Sequence, residues 1–444
     1  MGDEDLITSA VRRIARLGGL AGRVGVSVLG SQVAGLARSA PSRRSHRSDN
    51  LIRNATRVVE TLGQLKGAAM KVGQMLSLHE GLLPPEVAAV LRSLQREAPR
   101  VPAEVMEDEI RTALEDFDAL FETLDFEAYA AASIGQVHLG KLRDGRRVAV
   151  KIQYPLIERI VKADLKNLRT VLKTLFGLIS DIDFEPIWRE VRDRLIEELD
   201  YTIEAEHMRR MATLHAGVPE IVIPRVVDEA STRTVLTMEY REGITPTDAC
   251  SGDASQRLRN RWGTALFEFL FRGLFEHRLL HADPNLANFS FLPDGRVIVY
   301  DFGCVKQVPE RVAEGYADLL LAVIEERTGD VPATLRRLGV SRKGRAALPA
   351  DLTDPYVEVF APIFRRKPRY RFGEDDTLYH RLLRLSWSRW PQAVDVRVPG
   401  DIVFIQRTLA GHLGNLIRLN ATGPWRDLAI RYASAAGSPA RRSR

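Results

Sequence analysis

The sequence predicts an α+β fold in two lobes, a small β-rich one followed by a larger helical one. Three observations carry this. A chain of 444 residues is long for one domain and suits two, or one large bilobal domain. Short runs of β-forming residues punctuated by turn signals lie between Val137 and Met238 and again between Phe289 and Tyr300. Elsewhere apolar residues recur at helical spacing, and after Arg257 helix dominates.

Composition sets the class. Hydrophobic content of 45% and charged content of 27% describe a globular protein with a sizeable core. The net charge of +6 is gathered toward the ends, in Arg12, Arg13, Arg16, Arg43, Arg44 and Arg47, and in Arg441, Arg442 and Arg444. Such blocks suit an anionic membrane or nucleic acid, or are solvated tails. The two cysteines, Cys250 and Cys304, exclude a disulfide framework and a cysteine-held metal cluster, and they suit a reducing compartment. Asp3, Glu4 and Asp5 stand where a secretory leader needs basic residues. No uninterrupted apolar run reaches about 18 residues; the nearest, Val24 to Ala37, is short and rich in Gly and Ser. Any membrane contact is expected to lie on the surface and not to span it.

In chain order, Ile7, Val11, Ile14 and Leu17 mark an amphipathic helix, either on a membrane surface or docked on the domain. Ser39 to Asn50 is a polar linker. Leu62, Leu65, Ala69, Val72 and Leu76 form the apolar stripe of a longer helix that carries Lys71-Val72-Gly73-Gln74. A glycine inside a helix costs about 1 kcal/mol against alanine, so Gly73 implies a close helix contact or a ligand. Pro84 and Pro85 end this helix, Glu86 to Gln95 begins another, and Val105 to Leu120 reads as an amphipathic third.

Val137–Leu142 and Arg147–Ile152 read as strands joined by Asp144-Gly145. Before them stands a small-residue loop of Ala130, Ala131, Ala132, Ser133, Ile134, Gly135 and Gln136. The second strand ends in Val148-Ala149-Val150-Lys151, the pattern of the kinase lysine that grips phosphates. Where a kinase has G-x-G-x-x-G, this chain has alanines, which let a backbone approach phosphate but forbid most glycine-only conformations. Residues 156–215 read as helix. They offer Glu198, Asp200 and Glu204 as acidic partners for Lys151, and position alone does not choose among them. Val222–Val227 and Arg233–Met238 read as strands, and Glu239-Tyr240-Arg241-Glu242-Gly243 as a hinge whose backbone would meet an adenine edge. Arg257 to His277 is a long helix.

The densest chemistry lies between His281 and Gly303. Phe289–Leu292 and Val297–Tyr300 flank Pro293-Asp294-Gly295 as a hairpin. A hairpin returns its ends to one place, so Asp283, Asn288 and Asp301 are expected together. Two carboxylates and an amide oxygen are ligands Mg²⁺ takes, and Mg²⁺ usually arrives with phosphate. The spacing also matches H-x-D-x-x-x-x-N followed by D-F-G, as in kinases. Val312 to Arg327 enters helix almost directly, with no A-P-E motif, so the segment on which protein kinases dock polypeptides is missing or reduced.

Taken together, K-V-G-Q at 71–74, A-A-A-S-I-G-Q-V-H at 130–138, E-L-D-Y-x-x-E-A at 198–205, H-A-D-P-N-x-x-N-F at 281–289 and D-F-G at 301–303 resemble the UbiB/AarF-type family of atypical kinases over roughly residues 55–430. The resemblance implies a bilobal protein-kinase-like fold with a family-specific N-terminal helical extension and an Ala-rich loop in place of the Gly-rich one. It implies that Glu204 pairs with Lys151 and that Asp283 takes the catalytic-loop position. Asn288 and Asp301 would hold Mg²⁺. Ala130, Ala131, Ala132, Ser133, Gly135, Gln136, Lys151, Glu239 and Tyr240 would bind ATP. Lys71, Gly73 and Gln74 would cover the polypeptide groove, with Glu198 and Asp200 as their partners. Many bacterial members read H-A-D-P-H-P-G-N; Asn285-Leu286-Ala287 here is similar to the mitochondrial branch.

The expected organisation is an N-terminal helix and linker at 1–50, the extension at 51–125, an N-lobe at 126–240, a C-lobe at 241–435 and a basic tail at 436–444. The expected activity is Mg²⁺/ATP-dependent phosphoryl transfer to water or to a small-molecule or lipid acceptor, in isoprenoid-quinone or membrane-lipid metabolism. The alternatives are a true protein kinase and an ATP-switched binding protein with slow turnover. The expected partners are nucleotide, an anionic membrane surface, quinone or lipid intermediates and a second copy of the chain, with no nucleic acid. The expected location is cytoplasmic, peripheral at the inner face of the membrane.

Overall fold

The computed structural model describes residues 101–436 except 133, 164, 166–168, 170–172, 174–183, 343–346, 374–380 and 382–395. The expected N-terminal helix, the linker, the extension helix with Lys71, Gly73 and Gln74, the basic tail and Ser133 therefore lie outside the described residues. In chain order the main elements are α1 (Ala103–Ala113), β1 (Phe121–Leu124), β2 (Ala130–Ala131), β3 (Gly135–Leu142), β4 (Arg147–Gln153), α2 (Phe184–Glu197), α3 (Tyr201–Leu214), β5 (Ile221–Val222), β6 (Val235–Glu239), α4 (Gln256–Phe271), β7 (Leu279–His281), β8 (Phe289–Phe291), β9 (Val297–Val299), β10 (Val305–Gln307), α5 (Glu310–Ile324), α6 (Ala350–Arg365), α7 (Gly400–Arg418) and α8 (Trp425–Ala436). They form two compact units, residues up to Ala205 with Val226–Tyr240, and Glu206–Arg225 with Arg241 onward.

The first unit is built on an antiparallel sheet in the order β1-β3-β4-β6, with β2 paired to β3. Strand alternation sends Val148, Val150 and Ile152 to one face, where they are wholly buried with Met106 and Ile110 of α1. Ala149 and Lys151 point to the other face. The helix expected over Val105–Leu120 stops at Ala113, because Leu114 turns extended (φ −124°, ψ 97°); a single short turn, Phe117–Leu120, then leads into β1. The long helical reading of 156–215 is interrupted at Glu198–Asp200. There Asp200 caps α3, its Oδ1 accepting the Thr202 amide at 3.0 Å. The strand expected over Val222–Val227 is reduced to Ile221–Val222, since Pro224 cannot donate to a ladder and Asp228–Ala230 winds into a 3₁₀ turn.

The second unit is mainly helical. Trp262, Phe267, Phe269 and Trp425 are almost fully buried where α4 and α8 lie in its core. α4 ends in a π-helical turn, Arg272–Glu276, and β7 follows it. Two small sheets frame the chemistry: β5-β9-β8 and β7-β10. The β8–β9 hairpin forms as expected, with Gly295 at φ +92° in its turn. No described helix is long and apolar enough to cross a membrane.

Candidate active site

In the first unit, Lys151 is placed by sheet register. It stands opposite Val137 on β3 and Leu236 on β6, and Ala149 stands opposite Leu139 and Met238. Ala130 of β2 faces Val137. The lysine thus shares its sheet face with a floor of small and apolar side chains, of which Val137, Leu139 and Ala149 are half-buried. Its Nζ donates to Glu204 Oε2 at 2.8 Å, and both side chains are shielded, 14% and 6% exposed. The ammonium also lies 4.9 Å from the centroid of the Tyr201 ring. The cap that starts α3 at Asp200 sets the rotation that turns Glu204 inward, one turn later.

The alanine loop is a tight hairpin. Ala131 pairs with Gln136, and the Ala132 amide donates to the Gly135 carbonyl at 2.8 Å. Gly135 answers to β4: a methyl group there would sit 2.1 Å from the Ile152 carbonyl oxygen. Gln136 stands opposite Ile152, on the face away from Lys151. It is fully buried and its Oε1 accepts the Val101 amide at 2.5 Å. The register turns this side chain to the core face, while the Gln136 backbone stays paired with Ala131 in the loop. At the expected hinge, the Tyr240 amide donates to the Arg147 carbonyl at 2.9 Å, and the Arg147 guanidinium lies 4.8 Å from the Tyr240 ring centroid. Glu239 closes β6 opposite Val148.

In the second unit, the hairpin gathers its ends. The Tyr300 amide donates to the Asn288 carbonyl at 3.0 Å, and the Ala282 amide to the Cys304 carbonyl at 2.8 Å. Asp283, Asn288 and Asp301 are each half-buried. Asp283 Oδ1 accepts the Asn285 amide at 3.2 Å, Asn288 Nδ2 donates to the Asp283 carbonyl at 3.3 Å, and Asp301 Oδ1 accepts the Gly303 amide at 2.9 Å. The Asn288 bond uses the amide nitrogen, so the amide oxygen is the atom suited to a cation. No cluster of three or more His, Cys, Asp and Glu side chains is placed to hold a metal among the described residues; the donors here are two carboxylates and an amide, a set of hard oxygens.

Two histidines fix the D-F-G backbone. His281 Nε2–H donates to the Asp301 carbonyl at 2.6 Å, and His207 Nδ1–H to the Phe302 carbonyl at 3.0 Å. Burial pushes the His281 imidazole below its ordinary value, so it stays neutral and keeps one donor. Phe302 is wholly buried, its ring edge-on to His281 at 5.3 Å. Sequence reading had not singled out His207, nor Asn415, whose amide reaches Pro284 at 2.8 Å. Both are isolated polar residues on helices, and no local pattern distinguishes them.

Comparison with known proteins gives the family. Residues 93–333 match the ABC1 atypical kinase-like domain. The chain belongs to the ABC1 atypical-kinase family. Similar family proteins include the rat "Atypical kinase COQ8B, mitochondrial", 32% identical over 95% of this chain and 80% of its own length. The zebrafish protein of that name is 33% identical over 74% of this chain and 53% of its own length. A Mycobacterium tuberculosis structure, Rv3197 in complex with erythromycin, aligns with TM-score 0.65 and 26% identity over 89% of this chain and all of that one. ABC1 membership makes the fold a kinase-like α+β arrangement of two lobes and the protein a kinase- or ATPase-type enzyme at the level of family. The resemblance to UbiB/AarF-type kinases drawn from the motifs holds over most of the chain.

Proposed function

We propose that this ABC1 protein uses Mg²⁺ and ATP to pass a phosphoryl group to water or to a small-molecule or lipid acceptor, in isoprenoid-quinone or membrane-lipid metabolism, and not to proteins in trans. The observation that carries the reading is the shielded Lys151–Glu204 pair at 2.8 Å. A buried ion pair is weak evidence for stability, and in a kinase-type site it holds the lysine ready for phosphates. Asn288 and Asp301 would hold Mg²⁺, which neutralises charge on the phosphates when bound. Asp283, with Oδ1 committed to the loop amide of Asn285, orients the attacking hydroxyl or water. Ala130, Ala131 and Ala132 give the phosphates a close but stiff backbone, Ser133 is assigned to the same loop, and Gly135 keeps the β2–β3 hairpin against β4. Val137 and Ala149 offer apolar surface to the base, and Glu239 and Tyr240 the hinge.

The quinone or lipid assignment rests on the COQ8 relatives and on the basic ends of the chain. Lys71, Gly73 and Gln74, with Glu198 and Asp200, are assigned to covering the polypeptide groove. Peripheral placement at an anionic membrane and self-association belong to the same reading. Phosphate release by the purified protein, with and without anionic liposomes and quinone-like phenols, tests it. Stimulation by both is expected; labelling of a protein substrate in trans, with no release of phosphate, would overturn it.

A further inference from the structure

The loop that carries Asp283 is held from a distant part of the sequence. Asn415 lies on α7, is 4% exposed, and donates Nδ2–H to the Pro284 carbonyl at 2.8 Å across a separation of 131 residues. One helical turn earlier on the same face stands Gly411. A methyl group there would lie 2.2 Å from Pro284 Cγ and 2.7 Å from its Cβ, so the helix backbone meets the proline ring directly. A glycine inside a helix costs about 1 kcal/mol against alanine, and here the proline ring fills the space a side chain would take. His412, between them, is 2% exposed and stands edge-on to Phe289 at 6.1 Å, at the far end of the loop.

We propose that Gly411 and Asn415 of α7 are positioning residues for turnover, holding Pro284 so that Asp283 keeps its aim. The argument runs through the backbone. Pro284 has no amide to donate, so its carbonyl and its ring are the handles by which the loop can be gripped. α7 takes both. With φ of Pro284 set by its own ring and its carbonyl held by Asn415, the neighbouring Asp283 has little freedom left. Asp283 Oδ1 then closes onto the Asn285 amide, completing a turn. The assignment of Asp283 to turnover rests on the proposed function; the grip on its loop does not.

The test uses the full chain with three substitutions, Asn415→Leu, Gly411→Ala and, as a control on the same helix, Leu416→Ala. Leu416 is buried in the core, near Gly263, and its loss weakens α7 without touching Pro284. Amide hydrogen exchange over 282–288 is expected to quicken at least tenfold in the Asn415 and Gly411 variants and to stay within twofold in the control, compared at matched distance below each melting point. Phosphate release is expected to fall tenfold or more in kcat for the first two, with KM for ATP within threefold. Asn415→Gln, which keeps an amide donor, is expected to recover part of kcat. Unchanged loop exchange in the Asn415 and Gly411 variants, or equal quickening in the control, overturns the proposal whatever the activity. Should Asp283→Asn leave phosphate release intact, the role given to Asp283 fails, and hydrogen exchange still decides on the grip.

Discussion

Removing one partner of the Lys151–Glu204 pair separates what it does for the fold from what it does for phosphate. Lys151→Met takes from Glu204, a side chain only 6% exposed, the ammonium held at 2.8 Å. Removing one member of a buried pair costs about 3–5 kcal/mol. The Tyr201 ring also forfeits a cation contact at 4.9 Å worth about 0.5–1 kcal/mol. The expected cost is about 4 kcal/mol, or roughly 8–16 °C in melting point for a unit of this size. Lys151→Met combined with Glu204→Leu removes both charges and fills the volume, so it should return to within about 1 kcal/mol of the parent. Fluorescent-nucleotide titration should find binding lost in both variants. Calorimetric melting supplies the stability arm. A single variant as stable as the parent, or a double variant as unstable as the single, would refute the reasoning that the pair is buried and coupled.

Three further outcomes follow from the same geometry. Burial lowers His215 from 6.5 to about 4, so its neutral form supports the fold fully above pH 6.5, and that support drains as pH falls toward 4. The loss is about 3 kcal/mol, and His215→Phe, packed on Phe269, should flatten the urea midpoint against pH between those values. Gln136→Met should lower the melting point, because Gln136 Oε1 accepts the Val101 amide, yet leave ATP affinity within threefold; a tenfold loss in titration would return the side chain to the nucleotide face. Ala131→Gly should loosen the β2–β3 hairpin and shift the ratio of ATP to ADP affinity, which paired titrations measure; an unchanged ratio would show that the alanines place no constraint on the phosphates.

The parts of this fold that were legible in the sequence are those written in adjacent residues. The β8–β9 hairpin announced itself through Pro293-Asp294-Gly295 between β-branched runs, and closing it brought the backbones of Asn288 and Tyr300 together. The strand before Lys151 was legible for the same reason. The partner of that lysine was not, because Glu198, Asp200 and Glu204 crowd one acidic run; sorting them took the resemblance, and the pair itself rests on the cap at Asp200. The side-chain direction of Gln136 is not written in its loop motif, because strand alternation turns neighbours apart. β1 and the β7–β10 pair are short and draw their stability from partners far along the chain, so propensity gave little warning. The contacts of His207 with Phe302 and of Asn415 with Pro284 join residues 95 and 131 apart. Neither leaves a local pattern, since a polar residue on a helix reads as solvent-facing until the opposing backbone is known.

The most direct test of the central claim is phosphate release from Mg²⁺-ATP by Asp283→Asn, measured beside nucleotide binding. The substitution keeps the size of the side chain, and the Asn285 amide at 3.2 Å can still be met by an amide oxygen, so the loop should hold its shape. On the proposed role of Asp283, the substitution removes the carboxylate that orients the attacking water or hydroxyl. Release at least a hundredfold slower, with ATP affinity within threefold of the parent, is the expected result. Release at the parental rate would contradict the assignment of Asp283 to ATP turnover.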